Sequence, residues 1–298
     1  MRIRRGKERF MTNSASILVT GGTGKVGSRL VERLNHRGFA VRVATRGKTS
    51  SVHDSLIERV YFDWADESTH ALALEGIDRM YLIAPGVADP SPQMIAFIKR
   101  ALHTGVRRIV LQTASCIAVN DPGMGAVHKA VETLAPEWAV LRPSWFMQNF
   151  TNTETHFYAA SIKNEQTLAA FDEGRVAFVD AEDIAEVAVH ALIDEHPHNT
   201  EHIITGPQAL SYAEVAKIIS AAAKRPIRFV SVQSEGFQAQ VISMGYGADY
   251  ATFLSHLEET WVRSGQEDRV TPTVERITGR PPRSLADFAA ASAHIWQE

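Results

Sequence analysis

Short apolar runs alternate with helical stripes along the first half of the chain. Each run ends at a glycine, a proline or a polar turn, which is typical of a buried strand. After the first run, Val26, Leu30, Val31 and Leu34 share one helical face, and Gly38 ends the segment. The predicted strands cover residues 16–20, 39–44, 60–62, 80–84, 108–113 and 138–141, and the later helices cover residues 68–74, 93–103 and 126–134. This alternation predicts an α/β fold with a doubly wound parallel sheet.

The second half of the chain has a less regular pattern that is mostly helical. Its predicted elements are strands at 176–179, 202–204 and 227–232 and helices at 181–193, 212–223 and 284–291. Asp180 and Ser211 directly precede two of these helices and are the expected N-caps. We interpret this half as a small lobe interleaved with the sheet, and not as an independent domain.

Composition and charge exclude several classes of protein. The chain has 298 residues and a net charge of −3, and it shows no basic stripe interleaved with aromatics, so we expect no nucleic-acid partner. No window approaches the roughly 18 apolar residues of a membrane span, so we expect no membrane partner either. The single Cys116 excludes an intrachain disulfide and fits a reducing compartment, which predicts a cytoplasmic protein. The basic residues within 1–10 lack the apolar run of a secretory signal, and we interpret 1–13 as a disordered tail.

The segment TGGTGKVG at 20–27 joins the first strand to the first helix. Gly21 allows a sharp turn, Gly24 lets the backbone approach a pyrophosphate, and Gly27 lets helix and strand pack closely. The helix N-terminus then offers N–H groups to the phosphates. A nucleoside-triphosphate P-loop is excluded because Val26, and not Ser or Thr, follows the lysine. The strand–turn–helix context favours a Rossmann-type dinucleotide site over the alternative, a glycine-rich turn without a ligand.

The end of the second strand indicates which dinucleotide is bound. Sites for NAD usually place Asp or Glu about 20 residues after the loop, on the ribose 2′-hydroxyl. Here the sequence VATRGK at 43–48 contains no acid. Arg46 offers a planar fork to a 2′-phosphate, and Arg42 and Lys48 add positive charge. We therefore expect NADP(H) as the cofactor; the alternative interpretation of Arg46 is a solvated loop arginine.

Four segments after the glycine loop carry further motifs. They are LRPSWFMQNF at 141–150, VAFVDAEDIA at 176–185, ITGP at 204–207 followed by SYAEVA at 211–216, and ITGRPPR at 277–283. Together with the Gly-x-x-Gly-x-x-Gly spacing, this series resembles the NmrA-like family of atypical short-chain dehydrogenases over residues 16–290. That family includes NADPH-dependent quinone reductases, ergot-alkaloid iminium reductases and redox-sensing regulators.

The resemblance implies which positions contact the cofactor. For the phosphates they are Gly21, Thr23, Gly24, Lys25, Val26 and Gly27; for the 2′-phosphate, Thr45 and Arg46; for the adenine, Asp63 and Trp64. Along the cofactor toward the nicotinamide they are Ala84, Pro85, Thr113 with its neighbours through Ser115, and the segment from Pro143 to Phe146.

Aromatic residues after the sixth strand predict an acceptor pocket, because ligands of such sheets bind at the carboxyl ends of the strands. The expected pocket residues are Trp145, Phe146, Asn149 and Phe150. The alternative for about half of this apolar cluster is that the side chains pack in the core. For Asn149, a helix cap and a polar contact to the ligand are equally good interpretations. From the other side, the helical C-terminal part offers Phe237, Met244 and Tyr246.

The proton donor of ordinary short-chain dehydrogenases is missing. They use Tyr-x-x-x-Lys, with the tyrosine as the acid, whereas here Gly125 stands four residues before Lys129. Ser115, His128 and Lys129 are the remaining catalytic candidates, and Lys129 either holds ribose hydroxyls or lies on the helix surface. An iminium needs no proton donor, and a reduced quinone takes its proton from solvent. The missing tyrosine therefore disfavours alcohol–ketone chemistry.

These features predict an NADPH-dependent reductase that transfers hydride to a small apolar acceptor: a quinone, an iminium or an activated alkene. The alternative is an NADP(H)-binding, redox-sensing regulatory protein without turnover, which the missing tyrosine fits equally. We expect a small organic substrate as partner, a monomer or homodimer, and no metal, since a proline separates His196 and His198 in a polar loop. The expected organisation is the tail at 1–13, an NADP-binding Rossmann domain at 14–150 and a substrate-side lobe at 151–298.

Overall fold

The computed structural model describes residues 16–47, 56–87, 89–152, 156–171 and 174–297. The tail predicted at 1–13 and Lys48 lie outside these residues. Within the described ranges, every helix is too short or too polar to span a lipid bilayer.

Seven parallel strands form the main sheet, in the order β3-β2-β1-β4-β5-β6-β8. The nine strands of the described ranges are β1 Ser16–Thr20, β2 Ala40–Thr45, β3 Ile57–Tyr61, β4 Ile77–Ile83, β5 Arg108–Gln112, β6 Glu137–Pro143, β7 Thr167–Ala170, β8 Thr200–Ile204 and β9 Arg228–Ser231. The strand order reverses direction between β1 and β4, as in a doubly wound sheet. The predicted α/β class and the parallel sheet are therefore confirmed.

Helices cover both faces of this sheet. They are α1 Gly27–His36, α2 His70–Leu74, α3 Ser91–His103, α4 Met124–Leu134, α5 Phe157–Glu165, α6 Ala181–Ile193, α7 Tyr212–Ala223, α8 Ser234–Ser243, α9 Ala248–Leu257, α10 Thr273–Thr278, α11 Leu285–Ser292 and α12 His294–Gln297. Alternate residues of a strand point to opposite faces. Accordingly Ile17 and Val19 pack with α1 and α6, whereas Leu18 packs with α3 and α4.

The second half of the chain contributes to the main sheet and also builds a lobe of its own. β8 extends the sheet beyond β6, and α6 packs against α1. α10 packs against α6 and β8, whereas the other elements surround a small parallel sheet of β7 and β9 and a second core rich in aromatic rings. The division at residue 150 stays a prediction.

One predicted strand is wrong. Residues 176–179 form only isolated bridges, Phe146 with Val179 and Val176 with Leu210. The first residue of the segment pairs with Leu210 and the last with Phe146, so neither pairing continues for the several residues that a β-ladder needs. The apolar run VAFV reflects the complete burial of 176–179, which a buried strand and an irregular buried segment have in common.

Asp180 fastens this segment to α6 and to the C-terminal part of the chain. Its carboxylate caps α6 by accepting from Glu182 N–H at 3.0 Å, which confirms the predicted cap. The same carboxylate accepts from Gln148 Nε2 at 2.6 Å and from Arg283 Nη1 at 3.0 Å. Because Asp180 is fully buried, these donors replace the water that a charge would otherwise need.

Replacing Asp180 by alanine should lower the free energy of unfolding by about 3 kcal/mol, because two polar partners lose their acceptor in a mostly buried place. Urea denaturation followed by circular dichroism measures this. The matched control is Ser284→Ala, which removes the N-cap of α11 at a half-exposed position. This change should lower the free energy of unfolding by about 1 kcal/mol. Equal losses in the two variants would contradict the account.

Candidate functional site

The glycine loop brings the start of α1 directly against the end of β1. Gly21 has a φ of +63°, a left-handed conformation that favours glycine, and Gly24 N–H donates to Gly21 O at 2.9 Å. A Cβ on Gly27 would lie 2.1 Å from Gly21 O, so this approach requires glycine. No side chain caps α1 at Val26. Ser28 N–H donates to Gly24 O at 3.1 Å, and with no side-chain cap the N-terminus of α1 keeps its positive dipole end toward the loop, which favours an anion.

A cavity of about 530 Å³ lies at the carboxyl ends of β1, β2 and β4. This is the crevice where the strand order reverses, and open α/β sheets bind ligands there. Eight of the predicted cofactor-contacting residues line it: Gly21, Thr23, Thr45, Arg46, Asp63, Trp64, Ala84 and Pro85. The lining also includes Gln93, which was not among the predicted site residues. In the sequence it is only a polar residue in the first turn of a helix, and nothing else there indicates a ligand contact.

The three cations predicted near the 2′-phosphate have different surroundings. Arg46 is exposed and lines the cavity. Arg42 is bound elsewhere, because its Nε donates to Glu58 at 2.8 Å and its Nη1 to the Glu75 carbonyl at 2.5 Å. Lys48 lies outside the described residues. Arg46 is therefore the cation of this set that faces the cavity.

Aromatic rings form one wall of the cavity. Trp64 packs edge-to-face on Phe62 at 5.1 Å and on Phe97 at 5.2 Å between ring centroids. Asp63 turns its Oδ1 toward the backbone and accepts from Ala65 N–H at 2.9 Å. The ring of Trp64 is thus fixed by its neighbours while it remains half-exposed at the cavity edge.

The ends of β5 and β6 lie beside each other beyond this cavity. Thr113 N–H donates to Leu141 O, and Ser115 N–H donates to Pro143 O, each at 2.8 Å. Among the described residues, Thr113 Oγ1 is buried and has no hydrogen-bond partner. An orphaned buried hydroxyl calls for a ligand or a water, as expected at the place where the sequence analysis located the nicotinamide end.

The segment after β6 is held at both of its ends. Met147 N–H donates to Val179 O and Val179 N–H to Trp145 O, both at 2.9 Å. Trp296 Nε1 donates to Phe150 O at 2.8 Å. Of the predicted pocket residues, Phe150 is fully buried, whereas Trp145, Phe146 and Asn149 are half-exposed. The far-side residues belong with Trp145 and Phe150 to one aromatic cluster: Phe237, Met244 and Tyr246.

Lys25 connects the glycine loop to this segment. Its Nζ donates to Asn149 Oδ1 at 3.2 Å, and burial lowers the pKa of its ammonium group. Burial and the nearby Lys25 charge together lower the pKa of His156 to about 3, so His156 is neutral at physiological pH. The loop expected to bind phosphate and the segment expected to bind the acceptor are thus in direct contact.

None of the three catalytic candidates lines the cavity of the described residues. Ser115 is buried and donates its hydroxyl proton to Glu267 Oε1 at 2.9 Å. His128 is buried 3.8 Å from Glu201, and burial lowers its pKa. Lys129 is exposed, and its Nζ donates to Glu132 at 2.9 Å. Ser115 and His128 lie on either side of the Arg142–Glu201 ion pair, whereas Lys129 lies apart on the surface, and the catalytic roles of all three stay predictions.

Glu258, which the sequence does not single out, is a buried carboxylate behind the segment after β6. Glu258 is 4% exposed and opens a π-helical turn, Glu258–Arg263, that continues α9. Its Oε1 accepts from Trp145 Nε1 at 3.1 Å and from the Tyr212 hydroxyl at 2.9 Å. Burial raises the pKa of this carboxyl to about 7. In the sequence it is one acid of a Glu-Glu pair within a helical run, which is typical of a solvated face.

Replacing Gly27 by alanine should weaken binding of the expected dinucleotide, NADPH, by roughly tenfold or more, or about 1.4 kcal/mol. The physical reason is that the added Cβ separates α1 from the Gly21 carbonyl and distorts the loop. Titration calorimetry with NADPH measures the effect.

The control is Gly38→Ala at the other end of α1, where φ is +78° and nothing lies within 4 Å of an added Cβ. That change strains the backbone by about 1 kcal/mol but should leave the NADPH affinity unaltered. A Gly27→Ala protein with wild-type affinity would rule out this role of the close contact.

Comparison with known proteins identifies the family. The model of the NmrA-like family matches residues 13–278. The uncharacterized oxidoreductase YesF of Bacillus subtilis (strain 168) is 49% identical over 288 residues, covering 96% of this chain and 98% of YesF. Agroclavine dehydrogenase of Claviceps fusiformis is 34% identical over 289 residues, covering 94% of this chain and 98% of that protein.

A solved structure has the same fold at low sequence identity. The Citrobacter sp. triphenylmethane reductase complexed with NADP(H) aligns with a TM-score of 0.78 and 19% identity, covering 93% of this chain and 99% of that one. The resemblance predicted from the motifs is confirmed by the family match over almost the whole chain. The chain belongs to the NmrA-like family.

Proposed function

We propose that this chain is an NADPH-dependent reductase that transfers hydride to a small, flat, apolar acceptor, such as a quinone, an iminium or an activated alkene. The observation that carries the proposal is the cavity at the carboxyl ends of β1, β2 and β4, which combines the glycine loop with Arg46 and Trp64. The expectation of an oxidoreductase is confirmed by the relatives, since YesF is named an oxidoreductase and the Claviceps protein a dehydrogenase.

The residues present fit NADP(H). The contact at Gly27 admits only a hydrogen atom at this position, and the glycine loop would hold the pyrophosphate against the N-terminus of α1. Arg46 would bind the 2′-phosphate through its planar guanidinium, and Trp64 would pack beside the adenine. The orphaned Thr113 hydroxyl would bind a polar group at the nicotinamide end. A structure of the same fold with NADP(H) bound agrees with this choice.

The acceptor side is proposed from the segment after β6. When bound, NADPH supplies the hydride. Trp145 and Phe146 would provide flat apolar walls for the acceptor, and Asn149 a polar contact. The ammonium group of Lys25 donates to Asn149 and therefore lies between the glycine loop and the segment after β6. There it would offset the negative charge of the phosphates on one side and face the acceptor on the other.

The residues around the site favour acceptors that need no dedicated acid. The Ser115 hydroxyl proton is engaged by Glu267, and Lys129 is paired with Glu132 on the surface. An iminium is neutralised by hydride alone, and the anion formed from a quinone takes a proton from water. These acceptor classes therefore fit the site better than a ketone, whose alkoxide product needs a proton as it forms.

Steady-state oxidation of NADPH with 2-methyl-1,4-naphthoquinone, a cyclic iminium salt and an enone tests the proposal. We expect multiple turnovers with at least one of them. In Arg46→Ala the KM for NADPH should rise roughly 10- to 100-fold, the loss expected for charge-assisted hydrogen bonds, while the KM for NADH changes by less than about twofold because NADH has no 2′-phosphate.

The matched control is Arg59→Ala, which removes an exposed arginine from the adjacent strand β3 and should leave both KM values unaltered. Tight binding of NADPH without oxidation by any of the three acceptors would contradict the reductase and favour the redox-sensing alternative. An equal rise in both KM values in Arg46→Ala would contradict the assignment of the 2′-phosphate.

A further inference from the structure

Glu258 lies at a point where three separate parts of the chain meet. Trp145 follows β6, Tyr212 is the first residue of α7, and Glu258 begins the π-helical turn after α9. Its Oε2 lies 3.0 Å from the Tyr212 hydroxyl, in addition to the two bonds that Oε1 accepts. A π-helical turn is rare and often marks a functional position.

The buried carboxylate is surrounded by neutral groups. The Trp145 indole and the Tyr212 hydroxyl donate to it, and the Tyr158 hydroxyl beside them also acts to lower the pKa of the carboxyl. Burial, reinforced by Glu258, raises the pKa values of Tyr158 and Tyr212 well above the ordinary tyrosine value, so both phenols stay protonated. A buried acid without a cation stabilises a fold poorly, which suggests that its role is to orient its donors.

Trp145 is fixed by two independent contacts. Its backbone is bound to the segment before α6, since its carbonyl accepts from Val179 N–H at 2.9 Å. This contact still leaves the two side-chain torsions free. The bond from the indole N–H to Glu258 removes that freedom by selecting one orientation of the ring. A half-exposed tryptophan would otherwise sample several rotamers.

We propose that Glu258 is a positioning residue that determines acceptor specificity, by holding the Trp145 ring as a rigid wall of the acceptor pocket. The inference rests on the proposed function, because it needs an acceptor in contact with Trp145. A ring that is already oriented binds a flat acceptor without a further loss of conformational entropy. Without the bond, the acceptor would have to order the ring itself, whereas the NADPH side of the site would be unaffected.

The test compares Trp145→Phe, Glu258→Leu and the double variant, with 2-methyl-1,4-naphthoquinone as the acceptor. We expect each single change to raise the KM for the quinone roughly fivefold or more, through loss of one hydrogen bond, with the KM for NADPH within about twofold of wild type. The double variant should be no worse than either single variant, because both changes remove the same contact. Glu258→Gln keeps an acceptor oxygen for the indole and should recover most of the loss seen in Glu258→Leu.

Binding measured without turnover provides the second readout. Calorimetric titration of the quinone into protein saturated with NADP⁺, which has no hydride to give, should show the same order of affinities. Trp138→Phe, at the opposite end of β6, and Glu259→Leu, the exposed neighbour of Glu258, are the matched controls and should bind the quinone as the wild type does.

The outcomes separate this inference from the proposed function. Wild-type turnover combined with an unaltered quinone KM in Trp145→Phe overturns the inference alone. Additive losses in the double variant, or a Glu258→Gln protein as impaired as Glu258→Leu, overturn it as well. A wild-type protein that reduces none of the acceptors overturns the proposed function, and the inference with it.

Discussion

The contact between α1 and β1 is the constraint on which the rest of the site depends. At Gly27 an added Cβ would lie 2.1 Å from Gly21 O and 2.8 Å from Gly22 Cα. Because helix and strand touch at this point, the N-terminus of α1, which no side chain caps, lies at the carboxyl end of β1. Thr20 stabilises the same edge, since its Oγ1 donates to Tyr81 O at 3.2 Å and accepts from Ile83 N–H at 2.9 Å. β1 and β4 are thereby joined where the strand order reverses.

The second half of the chain is fastened to this edge through α1 and the segment after β6. Arg33 donates to Glu186 at 2.9 Å and also pairs with Glu182, which binds α1 to α6. Asp180 then joins α6 to Gln148, and Lys25 joins the glycine loop to Asn149. The glycine loop and the segment after β6 are therefore held in a fixed relation by contacts between residues that are far apart in sequence. Such a relation suits hydride transfer, which requires close approach of the two reactants.

The features of the first half could be predicted from the sequence because they are local. Buried parallel strands are mostly apolar runs, and a glycine, a proline or a polar turn follows each of them, so β1 to β6 were found within a few residues. The caps at Asp180 and Ser211 were equally local. The helix at 157–165 and strand β7 were missed because Phe157, Tyr158 and Ile162 pack into an aromatic cluster from several elements and follow no single-element period.

The two buried carboxylates that the sequence did not reveal, Glu258 and Glu267, have partners that are distant in sequence. Glu258 is 113 residues from Trp145, and Glu267 is 152 residues from Ser115. An acid in a polar helical stretch carries no local sign that it will be buried, because burial depends on donors supplied by other elements. For the same reason the sequence could propose Ser115 as an acid but could not show that a carboxylate engages its proton.

Transfer of deuterium from stereospecifically labelled NADPH tests the central claim most directly. Protein is incubated with each of the two C4-deuterated NADPH epimers and 2-methyl-1,4-naphthoquinone, a cyclic iminium salt or an enone, and the reduced iminium or enone product and the NADP⁺ formed are analysed by mass spectrometry. We expect one epimer to yield unlabelled NADP⁺ and the other to yield NADP⁺ that keeps its deuterium, with the lost label found at carbon in the reduced iminium or enone. Labelled NADP⁺ in equal amounts from both epimers, or no oxidation at all, would contradict hydride transfer within an ordered site.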